Sequence, residues 1–162
     1  MQSPGLKLLA LWRRLSAWPG GKWLFARIFS GRVPYSGSVR PRFVVLEPGH
    51  AEVEITDRRA NRNHLRSVHA IALLNVAEQA SGLAMLTGLP PGFRGIVTRI
   101  SMEYLKKARG AIRATSTVTV PQVSTDTDID VTAECFDPQG ILVARASVRW
   151  RVGPERPAPP VR

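Results

Sequence analysis

Hydrophobic and polar positions change rhythm twice along this chain. Over residues 5–31 apolar side chains recur at three- and four-residue spacing, with Leu8, Leu9, Trp12 and Leu15 on one stripe. That is a helical period. Pro19-Gly20-Gly21 interrupts it, so the segment predicts two short amphipathic helices. From residue 38 onward the period drops to two, the sign of strands buried on one face. The runs "RFVVLE" and "AEVEIT" flank Pro48-Gly49, a turn signal, and predict a hairpin.

The rhythm changes again at Ser67–Thr87, a long apolar segment closed by Gly88, Pro90, Pro91 and Gly92. It is long enough to span a bilayer, but His69, Asn75, Glu78 and Gln79 make that costly and strands lie on both sides of it, so it predicts a core helix. Four alternating runs follow, at 95–108, 111–120, 129–137 and 141–152, with Asp137-Pro138-Gln139-Gly140 as a turn between the last two. The order strand, strand, long helix, four strands predicts an α+β domain: an antiparallel sheet of about six strands with a single helix packed against one face. Three regions result: an N-terminal leader over 1–33, the domain over 34–152, and a flexible proline-rich tail over 153–162.

Composition narrows the function. At 162 residues one core can form without disulfides or metal staples, and the single cysteine, Cys135, offers neither a disulfide framework nor a thiolate metal site. A reducing, cytoplasmic setting suits that. The net charge of +11 suggests a nucleic-acid binder until its distribution is read: residues 1–46 hold eight Lys or Arg and no acid, while the rest has fifteen bases against twelve acids. The excess belongs to the leader, and no nucleic-acid-reading motif accompanies it. Trp18, Trp23, Phe25 and Phe29 beside Arg13, Arg14, Lys22 and Arg27 would suit peripheral contact of residues 5–31 with an anionic inner-membrane surface. The same pattern equally describes helices packed on the domain with their bases exposed. Secretory and mitochondrial signals fit poorly, the apolar stretches being too short and the tryptophans too many.

Candidate chemistry lies on the long helix. One side is lined by the small residues Ala70, Ala77, Ala80 and Ala84, a surface that a curved sheet could wrap closely. Asn75, Glu78, Gln79 and Gly82 form a polar stripe on another side, read most simply as a solvated face. His69 and Glu78 are nine positions apart, roughly 13 Å of helical rise and on opposite sides, so they cannot share a substrate within one chain. Two such helices meeting antiparallel across a two-fold axis would place Glu78 of one against the helix start of the other. Free N–H groups there, at His69, Ala70 and Ile71, would stabilise an oxygen gaining negative charge.

At these residues a family resemblance appears. Asn63-x-x-Arg66-x-x-His69-Ala70-Ile71, followed by Glu78, resembles the "N-x-x-G-x-x-H-G-G…D/E" signature of hotdog-fold acyl-CoA thioesterases of the phenylacetyl-CoA thioesterase type. Tyr104 to Gly110, "YLKKARG", resembles that family's "Y-x-x-P-A-x-x-G" strand and exit. The chain as a whole is similar to an uncharacterised branch of the superfamily with a basic, Trp-rich leader. The resemblance implies a sheet curled around a central helix, a homodimer or dimer of dimers, and an active site at the subunit interface. It implies Glu78 as nucleophile or general base, the Ala70 amide after His69 as the group polarising the thioester carbonyl, and Asn63 as a positioning residue. No metal or separate cofactor is implied, coenzyme A being part of the substrate. Lys106, Lys107, Arg109 and Arg66 are the bases available for its phosphates.

Three positions depart from the family pattern. Arg66 stands for the glycine before the histidine, Ala70-Ile71 for Gly-Gly, and Val97 for a polar residue early in the strand after the helix, with Thr98 beside it. The leading expectation is hydrolysis of acyl-CoA thioesters. Two alternatives stay open: a non-catalytic acyl-CoA or lipid-binding dimer at the membrane, and a thioester dehydratase or hydratase using His64 and Glu78.

Overall fold

The computed structural model describes residues 3–155. Helix α1 (Pro4–Ser16) is capped by Ser3, whose hydroxyl accepts from the Leu6 amide at 3.3 Å, and Pro4 occupies its first turn, where a missing N–H is harmless. Gly20, at φ 78°, makes the reversal into α2 (Gly21–Arg32). A single turn, α3 (Pro34–Gly37), leads to the hairpin β1 (Arg42–Glu47) and β2 (His50–Ile55). The long helix α4 (Ala70–Gly88) follows, then β3 (Phe93–Tyr104), β4 (Ile112–Thr117), β5 (Thr127–Phe136) and β6 (Leu142–Pro154).

All six strands form one antiparallel sheet in the order β1-β2-β4-β5-β6-β3, curved around α4. The helix meets sheet on several sides, so Val76, Ala77, Ala80, Ala84 and Met85 are fully buried. Alanines on the wrapped side let the strand backbones approach. α4 is the one helix among the described residues long and apolar enough to cross a bilayer, and its burial inside the sheet accounts for that apolarity. On the convex face Arg149 pairs with Asp130 at 2.7 Å and Arg151 with Asp128 at 2.8 Å, rungs across β5 and β6. Solvent screens exposed pairs of this kind, so they order the rungs more than they stabilise the fold. This is the hotdog architecture that the family resemblance implies, with the sheet and single helix that the element order predicts.

Several boundaries and coverings differ from the sequence expectation. α4 begins at Ala70, three residues later than the apolar run: Val68 bridges Arg62 and donates to the Ala108 carbonyl at 2.8 Å, which holds the chain extended there. β3 stops at Tyr104 because the Leu105 and Lys106 amides both turn to the Val143 carbonyl, at 2.9 and 3.1 Å. β6 continues through Gly153 and Pro154, paired with Arg94 and Phe93. Residues 156–162 of the expected tail lie outside the described residues.

The leader is built into the core. Leu9, Trp12 and Phe25 are buried with the sheet residues. Edge-on ring contacts run from Trp12 to Phe25 at 5.1 Å, from Phe25 to Phe43 of β1 at 5.0 Å, and from Phe29 to Phe43 at 4.9 Å. The start of α1 lies so close on the end of α4 that a Cβ on Gly5 would stand 1.9 Å from the Leu86 carbonyl oxygen.

The polar stripe of α4 is largely covered as well. Asn75 and Gln79 are buried beneath α3, where their amides donate to the carbonyls of Tyr35 at 3.3 Å and Ser36 at 3.2 Å. Gln79 also donates to Asn75 at 2.5 Å. These side chains fasten α3 to the helix, because the last turn of the leader leaves carbonyls that need donors. Of the stripe, Glu78 is the member left partly open.

Candidate active site

The start of α4 is fixed by a chain of hydrogen bonds rather than by packing alone. Asn63 Oδ1 accepts from the Leu65 amide at 2.9 Å, the Ser67 amide at 3.2 Å and the Ser67 hydroxyl at 3.2 Å, folding residues 63–67 into a tight turn. Arg66 completes that turn at φ 55°, a left-handed conformation that favours glycine. Buried Asn61 receives the His69 amide on its carbonyl at 2.7 Å. His69 is the N-cap, its Nδ1 accepting from the Ile71 amide at 3.1 Å. The Ala70 N–H, between these two engaged amides, has no partner among the described residues. Of the three amides expected to be free, it alone is.

Around that N–H the surface is mixed. The Tyr104 hydroxyl, at the end of β3, donates to the Ala70 carbonyl at 3.2 Å. Burial, helped by nearby Cys135, pushes the phenol above its usual range, so it stays a donor at neutral pH. Cys135 itself is buried and its thiol is pushed up to about 12, which keeps it unreactive. Lys107 and Arg109 flank Ala108, which is bonded to Val68, and so lie beside the helix start. Arg66, Lys106, Lys107 and Arg109 are all exposed there, and Arg109 lends its charge to Asp57.

Glu78 lies further along α4, past half-buried Leu74 and exposed Ile71 on the same face. Its carboxylate has no hydrogen-bond or ion-pair partner among the described residues, while its backbone carbonyl accepts from the Ser81 hydroxyl at 3.0 Å. Burial alone holds its carboxyl above the usual glutamate range. Its neighbour is Trp150 of β6: a Cβ on Gly82 would lie 3.4 Å from the indole ring and 3.6 Å from Glu78 Oε1. Both distances are ordinary van der Waals contacts, so the indole and the carboxylate border the same stretch of the helix. Trp150 is buried and its Nε1 has no partner among the described residues.

The wall opposite is β3, an edge strand paired on one side only, with β6. A bulge at Thr98, between Val97 paired to Trp150 and Arg99 paired to Arg149, resets the alternation. Beyond it Ile100, Met102 and Tyr104 pair with Val148, Ala146 and Ala144 and share their inward face. Ile100 and Tyr104 are nevertheless exposed, so this part of the β3 inner face is left uncovered. Thr98 Oγ1 donates to the Arg149 carbonyl at 3.3 Å.

The structure thus gathers His69, Ala70, Tyr104 and the four bases around the start of α4 and leaves Glu78 apart, about two turns along the helix. Asn63 braces the turn through its oxygen. His64 is exposed, and no contact links it to Glu78. Among the described residues no group of three or more His, Cys, Asp or Glu could hold a metal ion. Trp150 escaped the sequence reading, since alternation in β6 marks it only as one more inward-facing core residue.

A helix sheathed by a six-stranded antiparallel sheet with an open β3 edge defines the hotdog fold. Within it the chain belongs to the family described as a domain of unknown function, DUF4442, whose model matches residues 21–152. A crystal structure from structural genomics is 31% identical, covering 93% of this chain and 99% of that one with a TM-score of 0.80. A Pseudomonas aeruginosa protein of unknown function, described as a probable thioesterase, is 22% identical over 80% of this chain and 93% of its own, TM-score 0.74. A Bacillus halodurans protein crystallised with CoA is 22% identical over 62% of this chain and 66% of its own, TM-score 0.56. Among curated proteins nothing matches.

Proposed function

We propose that the chain hydrolyses acyl-CoA thioesters at a site shared by two copies. The observation that carries this reading is Glu78: a half-buried carboxylate with a raised pKa and no partner for its side chain among the described residues. A second copy, its helix start brought over Glu78, would supply what that carboxylate lacks. The unbonded β3 edge, twelve residues long, is a surface on which such a copy can seat.

In that arrangement Glu78 takes a proton from water, and the hydroxide adds to the thioester carbonyl carbon. Negative charge developing on the carbonyl oxygen meets the Ala70 N–H of the other copy at the positive end of α4. Collapse breaks the C–S bond, and the thiolate of CoA leaves with the proton that Glu78 held. Arg66, Lys106, Lys107 and Arg109 sit at the same helix end, where the phosphates of CoA would emerge. The Asn63 amide nitrogen, which takes no part in the turn's bonds, would position substrate. The Pseudomonas and Bacillus structures support the substrate class through their own descriptions, a thioesterase and a CoA complex.

The experiment is release of free thiol from a panel of acyl-CoAs by the purified protein and by Glu78→Ala. Release by the wild type that Glu78→Ala abolishes is the expected result. No release from any acyl-CoA, or equal release by both, overturns the reading.

A second reading, a dimer that binds acyl-CoA without cleaving it, is favoured by Ile71. Its side chain, 49% exposed, stands beside the Ala70 N–H where the family pattern has a glycine. Tight binding of a CoA ester without turnover would establish it.

A further inference from the structure

The turn between α1 and α2 carries side chains that the fold does not use. Trp12 and Phe25 of these helices are buried, whereas Trp18 and Trp23 are 70% and 68% exposed, with Leu24 exposed between them and the core. An indole left in water forfeits most of the burial that makes tryptophan worth having. Both indoles and Leu24 line a shallow groove of about 510 Å³ with Arg14.

Trp23 is also a wall of a second groove, about 880 Å³, between α2 and the β1 edge of the sheet. Lys22, Arg27, Arg40, Arg42 and Arg113 line it against one carboxylate, Glu54. Glu54 is already shared by Arg42 at 3.2 Å and Arg113 at 3.6 Å, so the groove keeps a positive surplus. Lys22 is held in place, its Nζ donating to the Val44 carbonyl at 2.8 Å, and the Arg27 guanidinium lies 5.9 Å from the Trp23 ring centroid. The apolar tip and the basic groove are therefore one continuous face.

We propose that this face docks on an anionic phospholipid surface. The Trp18 and Trp23 indoles would sit at the boundary between headgroups and acyl chains, and the basic groove beside them would take lipid phosphates. Two features favour lipid over a nucleic acid. The indoles stand together at the tip of a hairpin with an exposed leucine, instead of being spaced along the groove for stacking, and the chain beyond residue 46 is close to charge balance. Since Leu9, Trp12 and Phe25 root the hairpin in the core, the attachment would be rigid and fix the body's orientation on the surface.

The test uses the full chain floated with vesicles of phosphatidylcholine alone or mixed with phosphatidylglycerol, with thermal midpoints confirming that every variant folds. Wild type should float only with the mixed vesicles, and its tryptophan emission should shift to the blue. Arg14→Ala combined with Arg27→Ala should weaken partitioning by about fivefold per cation removed. Trp18→Ser combined with Trp23→Ser should weaken it by roughly tenfold or more, through loss of buried indole area. No flotation of wild type, or flotation of both double variants equal to that of wild type, overturns the proposal. So does release of wild type by inorganic pyrophosphate or a short oligonucleotide while the tryptophan variant binds as well, which would assign the groove to a soluble polyanion. None of these readouts depends on thioester hydrolysis.

Discussion

Glu78 and Trp150 meet above Gly82: the carboxylate of one and the indole of the other border the same point, the place that a side chain on Gly82 would fill. The carboxylate is half-buried there, and the Trp150 Nε1 offers it no hydrogen bond. A carboxyl so placed is a stronger base than an exposed one, and it destabilises the fold when charged.

The first consequence is catalytic. Glu78→Ala should lower kcat for acyl-CoA hydrolysis by roughly 100- to 10,000-fold, the range for a lost general base. In the wild type the base works only when deprotonated, and burial raises its pKa. The acid limb of the kcat/KM profile should therefore lie above the 4.5 of an ordinary glutamate and vanish in the variant. Initial rates across pH check both.

The second is thermodynamic. Because the folded pKa is raised, Glu78 favours folding most at pH below its unfolded value, and that contribution is lost as pH rises through the folded value. Glu78→Gln should accordingly raise Tm at neutral pH, by about 2–4 °C per kcal/mol relieved. The gain should shrink as the pH falls. Thermal melts of both proteins across pH measure it.

Arg66 holds a left-handed turn that a glycine would take without strain. Arg66→Gly should stabilise the protein by about 1 kcal/mol, the usual penalty of that conformation for a residue with a Cβ. Denaturant midpoints at fixed m-value would show it, whatever the same change does to CoA binding.

Loss of the bases at the helix start should act on binding. Lys106→Glu combined with Lys107→Glu should raise KM for an acyl-CoA by about tenfold or more with kcat little changed, since each charge-assisted hydrogen bond contributes roughly 1.5–3 kcal/mol. A thioester truncated to the pantetheine arm, which lacks the nucleotide phosphates, should be hydrolysed equally by both proteins. Parallel kinetics on the two substrates separate phosphate recognition from misfolding.

The shared site requires two chains. Ile100→Lys sets a charge on the uncovered inner face of the β3 edge strand. It should halve the mass measured by light scattering and lower hydrolysis on the order of 100-fold, the effect of withdrawing one oxyanion donor. A wild-type protein already monomeric at assay concentration would remove the basis of the shared site.

Much of this was legible in the residues. The alternating runs and one long apolar stretch determine the order of elements, and Glu78 stands out as a lone acid on that stretch. The covering of Asn75 and Gln79 was not legible. A polar stripe on a helix reads the same whether water or the Tyr35 and Ser36 carbonyls satisfy it, and only tertiary structure brings α3 over it. The end of β3 was missed for a related reason: alternation persists past Tyr104, but the Leu105 and Lys106 amides find a better acceptor in Val143. At the helix start the apolar period runs back through Ser67. A histidine ring accepting the Ile71 amide is what sets the boundary.

The seat of Gly5 on Leu86 has a practical meaning for how this protein is handled. The family match opens at residue 21, so a fragment cut to that boundary would discard α1 and with it Leu9 and Trp12. It would strip an apolar lid from Phe25 and from the far end of the central helix, and the fragment should be recovered in inclusion bodies. Expression trials and crystallisation screens should begin from the whole chain, with any affinity handle placed at the opposite terminus.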